Sequence, residues 1–425
     1  MNAVKTVVRK WNDMNAILRI LIGLLIGLIL GLTLPNLPVV GLLGSVFVGT
    51  LKAIAPILVF VLIMSSLANS STGIGSRFRT VIFLYMASTF VAAIVAVITS
   101  YLFPVSMKLT GEAAEQAAPT GVGEVWTNLL TNMVTNPVSA LANANYIGIL
   151  FWAVLFGLAL KVVGSERTNG LIADFAGMVN MVVQWIIRLA PFGVLGLVFS
   201  AVSENGVAIF TVYGKLVATL VGSMLFVTLV TDPIIAALFL RRNPYPLTLT
   251  ALRESGITAF FTRSSAANIP VNMATCERLG LEKDFYSVSI PLGATINMDG
   301  AAAVITIMSL SVARTMGVEV TIPTAIILSF LATLAACGAS GVAGGSLLLI
   351  PMACSFFGIS NDIAMQAVEV GFIIGVIQDS VETALNSSGD VVFSATSEYY
   401  ARRKKGEDMR FLGEFAKKKK EAPAE

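Results

Sequence analysis

The chain has 425 residues, of which 56% are hydrophobic and only 12% charged, and its formal net charge is +3. Soluble domains carry about 25% charged residues, so this composition predicts an all-α polytopic protein embedded in membrane lipid, with no nucleic acid as partner. The chain has no His and three widely separated Cys, which excludes His-activated nucleophiles, His metal ligands and a disulfide framework.

Eight apolar stretches of about 20 residues or more predict membrane-spanning helices. They fall near residues 16–36, 43–67, 80–104, 137–163, 171–202, 210–240, 284–313 and 363–392. The first stretch is interpreted as a retained span, because no small-residue cleavage site follows it. Two further apolar stretches, 258–273 and 326–357, are interrupted by polar or glycine-rich sequence and predict re-entrant helical hairpins.

Basic residues cluster in every second loop. They are Lys5, Arg9, Lys10, Arg77, Arg79, Lys161, Arg167, Arg241, Arg242, Arg402, Arg403, Lys404 and Lys405. Eight crossings and two hairpins that do not cross put these loops and both termini in the cytoplasm, as the positive-inside rule requires. The alternation of hairpin and span in the C-terminal half predicts an inverted repeat. We therefore expect residues 1–240 to be scaffold, 245–400 to be the transport core and 401–425 to be a cytoplasmic tail.

The seventh span contains the sequence PLGATINMDG at residues 291–300. An amide and a carboxylate are costly at membrane depth unless they face a cavity, a partner or an ion. On a regular helix Asn297 and Asp299 would point about 200° apart, and Pro291, Gly293 and Gly300 weaken that helix. Two interpretations stay open. The helix breaks and its oxygens surround a hard cation, or it only kinks and the polar side chains bond a neighbouring helix.

The eighth span carries a polar stripe. Asp379, Thr383, Asn386 and Asp390 fall within a strip about 60° wide on a helix. Two carboxylates on a buried stripe favour a functional site over packing, since the structural alternative, an ion pair, has Arg263 as its only nearby cation in the core segments. Carboxylate and amide oxygens suit Na⁺ or H⁺ better than a transition metal.

The tips of the two predicted hairpins complement this stripe. Ser264, Ser265 and the run 338–346 present backbone N–H groups at the ends of short helices, where a carboxylate is favoured. An α-amino acid fits, with its carboxylate bound by the tips and Asn386 and its ammonium bound by Asp379. The alternative is that these small residues only allow close helix packing.

The Asn-Met-Asp-Gly sequence at 297–300, the Ser-Ser hairpin ending at Pro270, the glycine-rich second hairpin and the stripe from Asp379 to Asp390 resemble the dicarboxylate/amino acid:cation symporter family. The resemblance covers nearly the whole chain, and its closest branch is the bacterial sodium/serine-threonine symporters. It implies the glutamate-transporter fold, Na⁺ coupling and elevator-type alternating access in the bacterial inner membrane. It also implies a homotrimer, with spans 1, 2, 4 and 5 as trimerisation scaffold.

The resemblance further implies three sodium sites and one amino-acid site. The first sodium site comprises Gly293, Asn297, Asn386 and Asp390; the second comprises Thr295 and Met298 with carbonyls near Ala336 and Ala339; the third comprises Tyr85, Ser88, Thr89, Asn297 and Asp299. The amino-acid site comprises Ser264, Ser265, Ala301, Val342, Asp379, Glu382, Thr383 and Asn386. By pattern alone, the three third-span residues are ordinary span residues.

Two departures from the family pattern bear on the substrate. Acidic-substrate members carry Arg where this chain has Glu382, and Thr where it has Ala301. Glu382 would repel a second carboxylate, so we expect serine and threonine as substrates and aspartate and glutamate to be disfavoured. The structural alternative is that Glu382 pairs with Arg263.

The competing functions are a symporter of acidic or dicarboxylate substrates and a solute channel. A third alternative, an intramembrane enzyme, would need Ser–Lys or paired-Asp chemistry because the chain has no His, and no Lys lies in the core segments.

Overall fold

The computed structural model describes residues 16–69, 76–109, 133–339 and 343–417, together with residues 14, 130 and 131. These residues form helices and turns and contain no β-strand. In chain order the α-helices are α1 (Ala16–Thr33), α2 (Pro38–Ala68), α3 (Ser76–Leu102), α4 (Pro137–Ala142), α5 (Tyr146–Val163), α6 (Glu166–Ile187), α7 (Ala190–Asn205), α8 (Ile209–Phe226), α9 (Asp232–Leu240), α10 (Tyr245–Ala251), α11 (Ile257–Thr262), α12 (Ser265–Arg278), α13 (Lys283–Ile296), α14 (Asp299–Thr315), α15 (Ile322–Ala336), α16 (Ile350–Ser355), α17 (Asn361–Lys404) and α18 (Gly413–Lys417).

Within that part of the chain, seven helical segments are long and apolar enough to cross a membrane. One of them, Ala190–Leu240, joins α7, α8 and α9 through a 3₁₀ turn and a π turn (Val227–Thr231). The predicted helical, polytopic membrane protein is therefore confirmed. The count of eight crossings and the depth of the two hairpins in the bilayer stay predictions.

Two of the first six predicted spans are each divided into two helices. The stretch 137–163 is divided into α4 and α5, because the Asn145 side chain accepts a hydrogen bond from the Gly148 N–H at 3.2 Å and starts a new helix. The stretch 171–202 is divided into α6 and α7, with Pro191, which has no N–H to donate, in the first turn of α7. The expectation of one continuous helix in each stretch was wrong, because the hydrophobic pattern alone does not mark a single residue that ends one helix and starts the next.

The first predicted hairpin, residues 258–273, folds back on itself. α11 ends at Thr262, Arg263 takes a left-handed φ of 52°, and α12 begins at Ser265. α12 returns beside the π turn that precedes α11, where the Asn268 amide donates to the Ser255 hydroxyl at 2.9 Å. In the second predicted hairpin, 326–357, α15 and α16 lie on either side of the glycine-rich sequence 337–346, of which residues 340–342 lie outside the described residues.

The 44-residue α17 is the centre of one packing group. It contacts α3, α8, α9, α11, α12, α13, α14 and α16. In the most apolar 18 residues of α13 and α14, 94% of the stretch is buried inside the protein, whereas the corresponding share for α6 is 22%. A helix enclosed by protein can carry polar side chains that a lipid-facing helix cannot. α13, α14 and α17 therefore form the surroundings of the candidate site.

A second packing group consists of α1, α2, α5, α6 and α7. Its helices approach closely at glycines. A Cβ added to Gly27 would lie 2.3 Å from the Leu195 carbonyl oxygen, and one added to Gly196 would lie 2.3 Å from the Gly44 nitrogen. Small residues bring membrane helices together in this way. This group contains spans 1, 2, 4 and 5, whose role as trimerisation scaffold stays a prediction.

Gly27→Ala is expected to lower the unfolding temperature of the purified protein, because its methyl group overlaps a backbone carbonyl and overpacking costs about 1–3 kcal/mol. Gly49→Ala in α2 is the matched control, since nothing lies within 4 Å of its added Cβ and Ala favours a helix over Gly. Equal unfolding temperatures for the two variants in detergent would contradict the close packing of α1 against α7.

Candidate functional site

The helix of the seventh predicted span breaks at two residues. α13 ends at Ile296 and α14 begins at Asp299, while Asn297 (φ −93°, ψ 80°) and Met298 (φ −121°, ψ 49°) between them are not helical. The structure thus has the predicted break and not a simple kink. The polar side chains at the break also contact neighbouring helices, as the alternative interpretation required.

Asn297 connects the break to the polar stripe of α17. Its side-chain amide donates to the Asp390 Oδ1 atom at 3.1 Å and to the Asn386 carbonyl at 3.2 Å. In the other direction, the Gly300 N–H donates to the Asn386 Oδ1 atom at 2.8 Å. A Cβ at Gly389 would lie 2.7 Å from the Asn297 amide nitrogen. The close contact of the broken helix with α17 therefore depends on a residue without a side chain.

Asp299 connects the break to α3. Its Oδ1 atom accepts hydrogen bonds from the Ser88 hydroxyl at 3.0 Å and the Thr89 hydroxyl at 2.7 Å. The Tyr85 hydroxyl lies 3.3 Å from the Asp390 carbonyl oxygen. The pattern-based interpretation of these α3 residues as ordinary span residues was therefore wrong. Their spacing of i, i+3 and i+4, which puts them on one helix face, was the signal available in the sequence.

Two carboxylate oxygens in this cluster have no partner. Asp299 Oδ2 and Asp390 Oδ2 are buried without a hydrogen bond, and no ion pair among the described residues includes either side chain. A buried carboxylate without a counter-charge is strongly unfavourable. The surrounding amide, hydroxyl and carbonyl oxygens are the ligands that hard cations prefer. This arrangement fits a monovalent cation.

Gly293 provides the space beside these oxygens. A Cβ at this position would lie 2.6 Å from Asp390 Oδ1 and 2.8 Å from the Tyr85 hydroxyl. The described residues contain no group of three or more His, Cys, Asp or Glu side chains that would suit a transition metal. The chemistry of the cluster is therefore that of carboxylate, amide and hydroxyl oxygens.

The other end of the α17 stripe contacts residues of both predicted hairpin tips. The Arg263 Nε atom of the first hairpin donates to Asp379 Oδ2 at 2.6 Å, and the Gly344 N–H of the second donates to Asp379 Oδ1 at 3.0 Å. The Arg263 ion pair left open by the sequence is thus present, and it is formed with Asp379. Glu382 is bonded instead by the Ser346 hydroxyl at 2.8 Å and by the Gln378 amide. The alternative that Glu382 itself pairs with Arg263 is not what the structure contains.

The remaining predicted amino-acid-site residues lie around this end of the stripe. The Thr383 hydroxyl donates to the Asp379 carbonyl at 2.7 Å. Ser264 caps α12 by accepting from the Ala267 N–H at 3.2 Å, and Ser265 is buried in the first turn. Ala301 is also buried, and Val342 lies outside the described residues.

The residues of the second predicted sodium site are less closely connected. Thr295 is exposed, and its hydroxyl donates to the Leu292 carbonyl at 2.7 Å. Ala336 and Ala339 are buried at the end of α15 and bond one another through their backbones at 2.9 Å. The neighbouring Cys337 lies against the break, with its sulfur 3.9 Å from the Ile296 carbonyl oxygen. The structure therefore brings α15 close to the break without joining these groups by hydrogen bonds.

Gly293→Ala is expected to raise the Na⁺ concentration needed for half-maximal thermal stabilisation by about tenfold or more, because the methyl group would displace the Asp390 carboxylate. Gly222→Ala in α8 is the control, since its Cβ meets nothing within 4 Å. The measurement is the unfolding temperature against NaCl at constant ionic strength. A Gly293→Ala protein with the midpoint of the control would show that no cation binds beside Asp390.

Comparison with known proteins gives one consistent result. The model of the sodium:dicarboxylate symporter family matches residues 16–399. A serine/threonine transporter SstT from Bifidobacterium adolescentis is 57% identical over 407 residues, which cover 96% of this chain and 95% of that protein. Proteins of the same name from Streptococcus thermophilus and Streptococcus agalactiae are 56% and 55% identical over 396 residues, 93% of this chain and 98% of theirs. The chain therefore belongs to the sodium:dicarboxylate symporter family and is a transporter, not an enzyme.

Proposed function

We propose that this chain imports serine and threonine together with Na⁺ by elevator-type alternating access. The observation that carries the proposal is the pair of buried carboxylates, Asp299 and Asp390, that lie on either side of Asn297 at the helix break, each with one oxygen unpartnered. A bound cation supplies the missing positive charge. Relatives at 55–57% identity are named serine/threonine transporters, which supports the choice of substrate.

Two of the proposed sodium sites are supported by direct contacts. In the first, the Asn297 amide bridges Asp390 and the Asn386 carbonyl next to the space left by Gly293. In the third, the α3 hydroxyls converge on Asp299. The second site is supported only by the proximity of the end of α15 to the break. The first and third sites share Asn297, so cations bound in them would act on the same break.

The proposed amino-acid site includes Asp379 as the ligand of the substrate ammonium. Asp379 is already bonded to one group from each hairpin tip, Arg263 and Gly344. An incoming ammonium would compete with Arg263 for the carboxylate, which would free the guanidinium to meet the substrate carboxylate. Arginine suits that role because its planar fork matches a carboxylate. Binding of a zwitterion therefore exchanges one ion pair for two.

Charge balance supports a neutral substrate side chain. Arg263 and Asp379 cancel, so an ionised Glu382 would leave the group with one negative charge. A second substrate carboxylate at about 4 Å from Glu382 would cost on the order of 4 kcal/mol at an effective dielectric constant of 20. A serine or threonine hydroxyl would instead donate to it. The buried Ala301 offers no hydrogen bond to a second carboxylate.

The larger-scale part of the proposal follows the family resemblance. We infer a homotrimer in which α1, α2, α5, α6 and α7 form the fixed scaffold, while α3 and the helices around α17 move as the transport domain. Both termini would lie in the cytoplasm of a bacterial inner membrane. The division of the helices into two packing groups supports this assignment.

Serine uptake into liposomes should require an inward Na⁺ gradient and should accumulate serine above its external concentration. Asp390→Ala should remove most of the Na⁺ dependence, because it deletes the carboxylate of the first proposed sodium site. Accumulation of labelled serine is measured at several Na⁺ concentrations, with choline as the replacement cation. The exposed Asp174 of α6, changed to Ala, is the control. Serine that only equilibrates, with no effect of Na⁺, would identify a channel or facilitator and contradict the proposal.

Substrate choice should change when Glu382→Arg is combined with Ala301→Thr. The double variant removes a repulsion and adds a bidentate partner and a hydroxyl for a carboxylate. Aspartate should then compete with labelled serine, while the Glu382→Gln control, which only removes the charge, should show an intermediate effect. Competition at fixed Na⁺ is the measurement. A folded double variant that keeps the wild-type preference for serine would show that Glu382 does not set the selectivity.

A further inference from the structure

A third buried carboxylate with an unpartnered oxygen lies at the start of α9, in the packing group around α17. Asp232 is 3% exposed, and its Oδ1 atom is buried without a hydrogen-bond partner. No ion pair among the described residues includes it. A buried carboxylate in this state needs a cation, a proton or a mobile counter-charge. Asp232 belongs to none of the sodium or amino-acid sites proposed above.

The backbone around Asp232 is deformed. It follows the π turn Val227–Thr231, and its N–H donates to the Val227 carbonyl across that turn. Pro233 has no N–H to offer the Leu229 carbonyl, which accepts instead from the Tyr245 hydroxyl at 3.0 Å. π turns within helices are frequent at functional sites. The extra residue in the π turn rotates the side chains that follow it around the helix axis, and Asp232 is the first of them.

The position of Asp232 connects it to the cation cluster. The π turn and α9 pack against α3, the helix whose Ser88 and Thr89 hydroxyls bind Asp299. The Phe83 ring of α3 lies 6.3 Å from the Phe239 ring of α9, and the later residues of α3 (Val95 to Leu102) line one cavity with α8. α3 therefore runs antiparallel to α8 and α9, which puts Asp232 near the level of Ser88 and Thr89. Asp299 has its own unpartnered buried oxygen. Two unpartnered carboxylate oxygens therefore lie on helices, α9 and α14, that both pack against α3, and none of the ion pairs among the described residues includes either carboxylate.

We propose that Asp232 is a further carboxylate of the cation-binding region, which together with Asp299 holds a monovalent hard cation. The proposal rests on the Na⁺ coupling proposed above and adds a residue from α9 to it. A cation bound in the field of both carboxylates relieves their repulsion, so each strengthens its binding. Movement of α9 relative to α3 would then change the affinity for the cation.

The variant Asp232→Asn tests this proposal, because it keeps the shape of the side chain and removes its charge. In the absence of serine, it should raise the Na⁺ concentration for half-maximal thermal stabilisation by at least about tenfold, because a unit charge removed from within about 10 Å of the cation weakens its binding by more than that at an effective dielectric constant of 20. Asp232→Glu, which restores the charge, should return the midpoint to within about threefold of wild type. Asp174→Asn at the exposed α6 position is the matched control and should leave it unchanged. Choline chloride keeps the ionic strength constant throughout.

The outcomes separate this proposal from the transport function. If Asp232→Asn keeps the wild-type Na⁺ midpoint, Asp232 carries no charge that the cation feels and the proposal is wrong. If the wild type itself is not stabilised by Na⁺, both the cation region and the role of Asp232 are wrong. A shifted midpoint in a protein that does not transport serine would support Asp232 and contradict only the transport function. Asp232→Ser carries the same expectation and replaces Asp232→Asn if that variant does not fold.

Discussion

The structure depends on negative charge that is buried without a counter-charge where α13 and α14 meet. Asp299 and Asp390 each keep one oxygen without a partner, yet the helices that carry them pack closely. That packing needs Gly293 and Gly389, since a side chain at either position would collide with the cluster. A bound cation would turn mutual repulsion into attraction and hold α3, the broken helix and α17 together. In this account the cation is a structural component of the transport-competent state.

Asn386 joins the cation end of the α17 stripe to the amino-acid end. Its carbonyl accepts from Asn297 in the proposed sodium site, and its side chain accepts from the Gly300 N–H. Seven residues earlier on the same helix, Asp379 is bonded by both hairpin tips. A cation that fixes the break therefore also fixes one wall of the amino-acid site. Coupling between two ligands requires such a shared element with differential contacts in the bound and unbound states.

The functional importance of the polar residues in the last two core spans could be predicted from the sequence, because polar side chains are energetically unfavourable in lipid and therefore rare in spans. The break at Asn297 follows from Pro and Gly flanking two polar residues, and the stripe from Asp379 to Asp390 follows from helical periodicity. The partner of Arg263 could not be predicted, because Asp379 and Glu382 lie on the same helix, more than a hundred positions away in the chain. Hydroxyls such as Ser88 entered the predicted site only through the family resemblance. The pattern alone gave them no role, because Ser and Thr can bond their own helix and so carry little signal among apolar residues.

The most direct test of the account is the affinity for serine measured by titration calorimetry at a series of Na⁺ concentrations, with choline keeping the ionic strength constant. If Na⁺ and serine bind to sites that both include Asn386, each ligand strengthens the binding of the other by the same factor. The account predicts that the dissociation constant for serine falls as Na⁺ rises, by at least about tenfold for each tenfold rise in Na⁺ below saturation, as expected when at least one cation binds with each serine. A dissociation constant for serine that does not change with Na⁺ would contradict it.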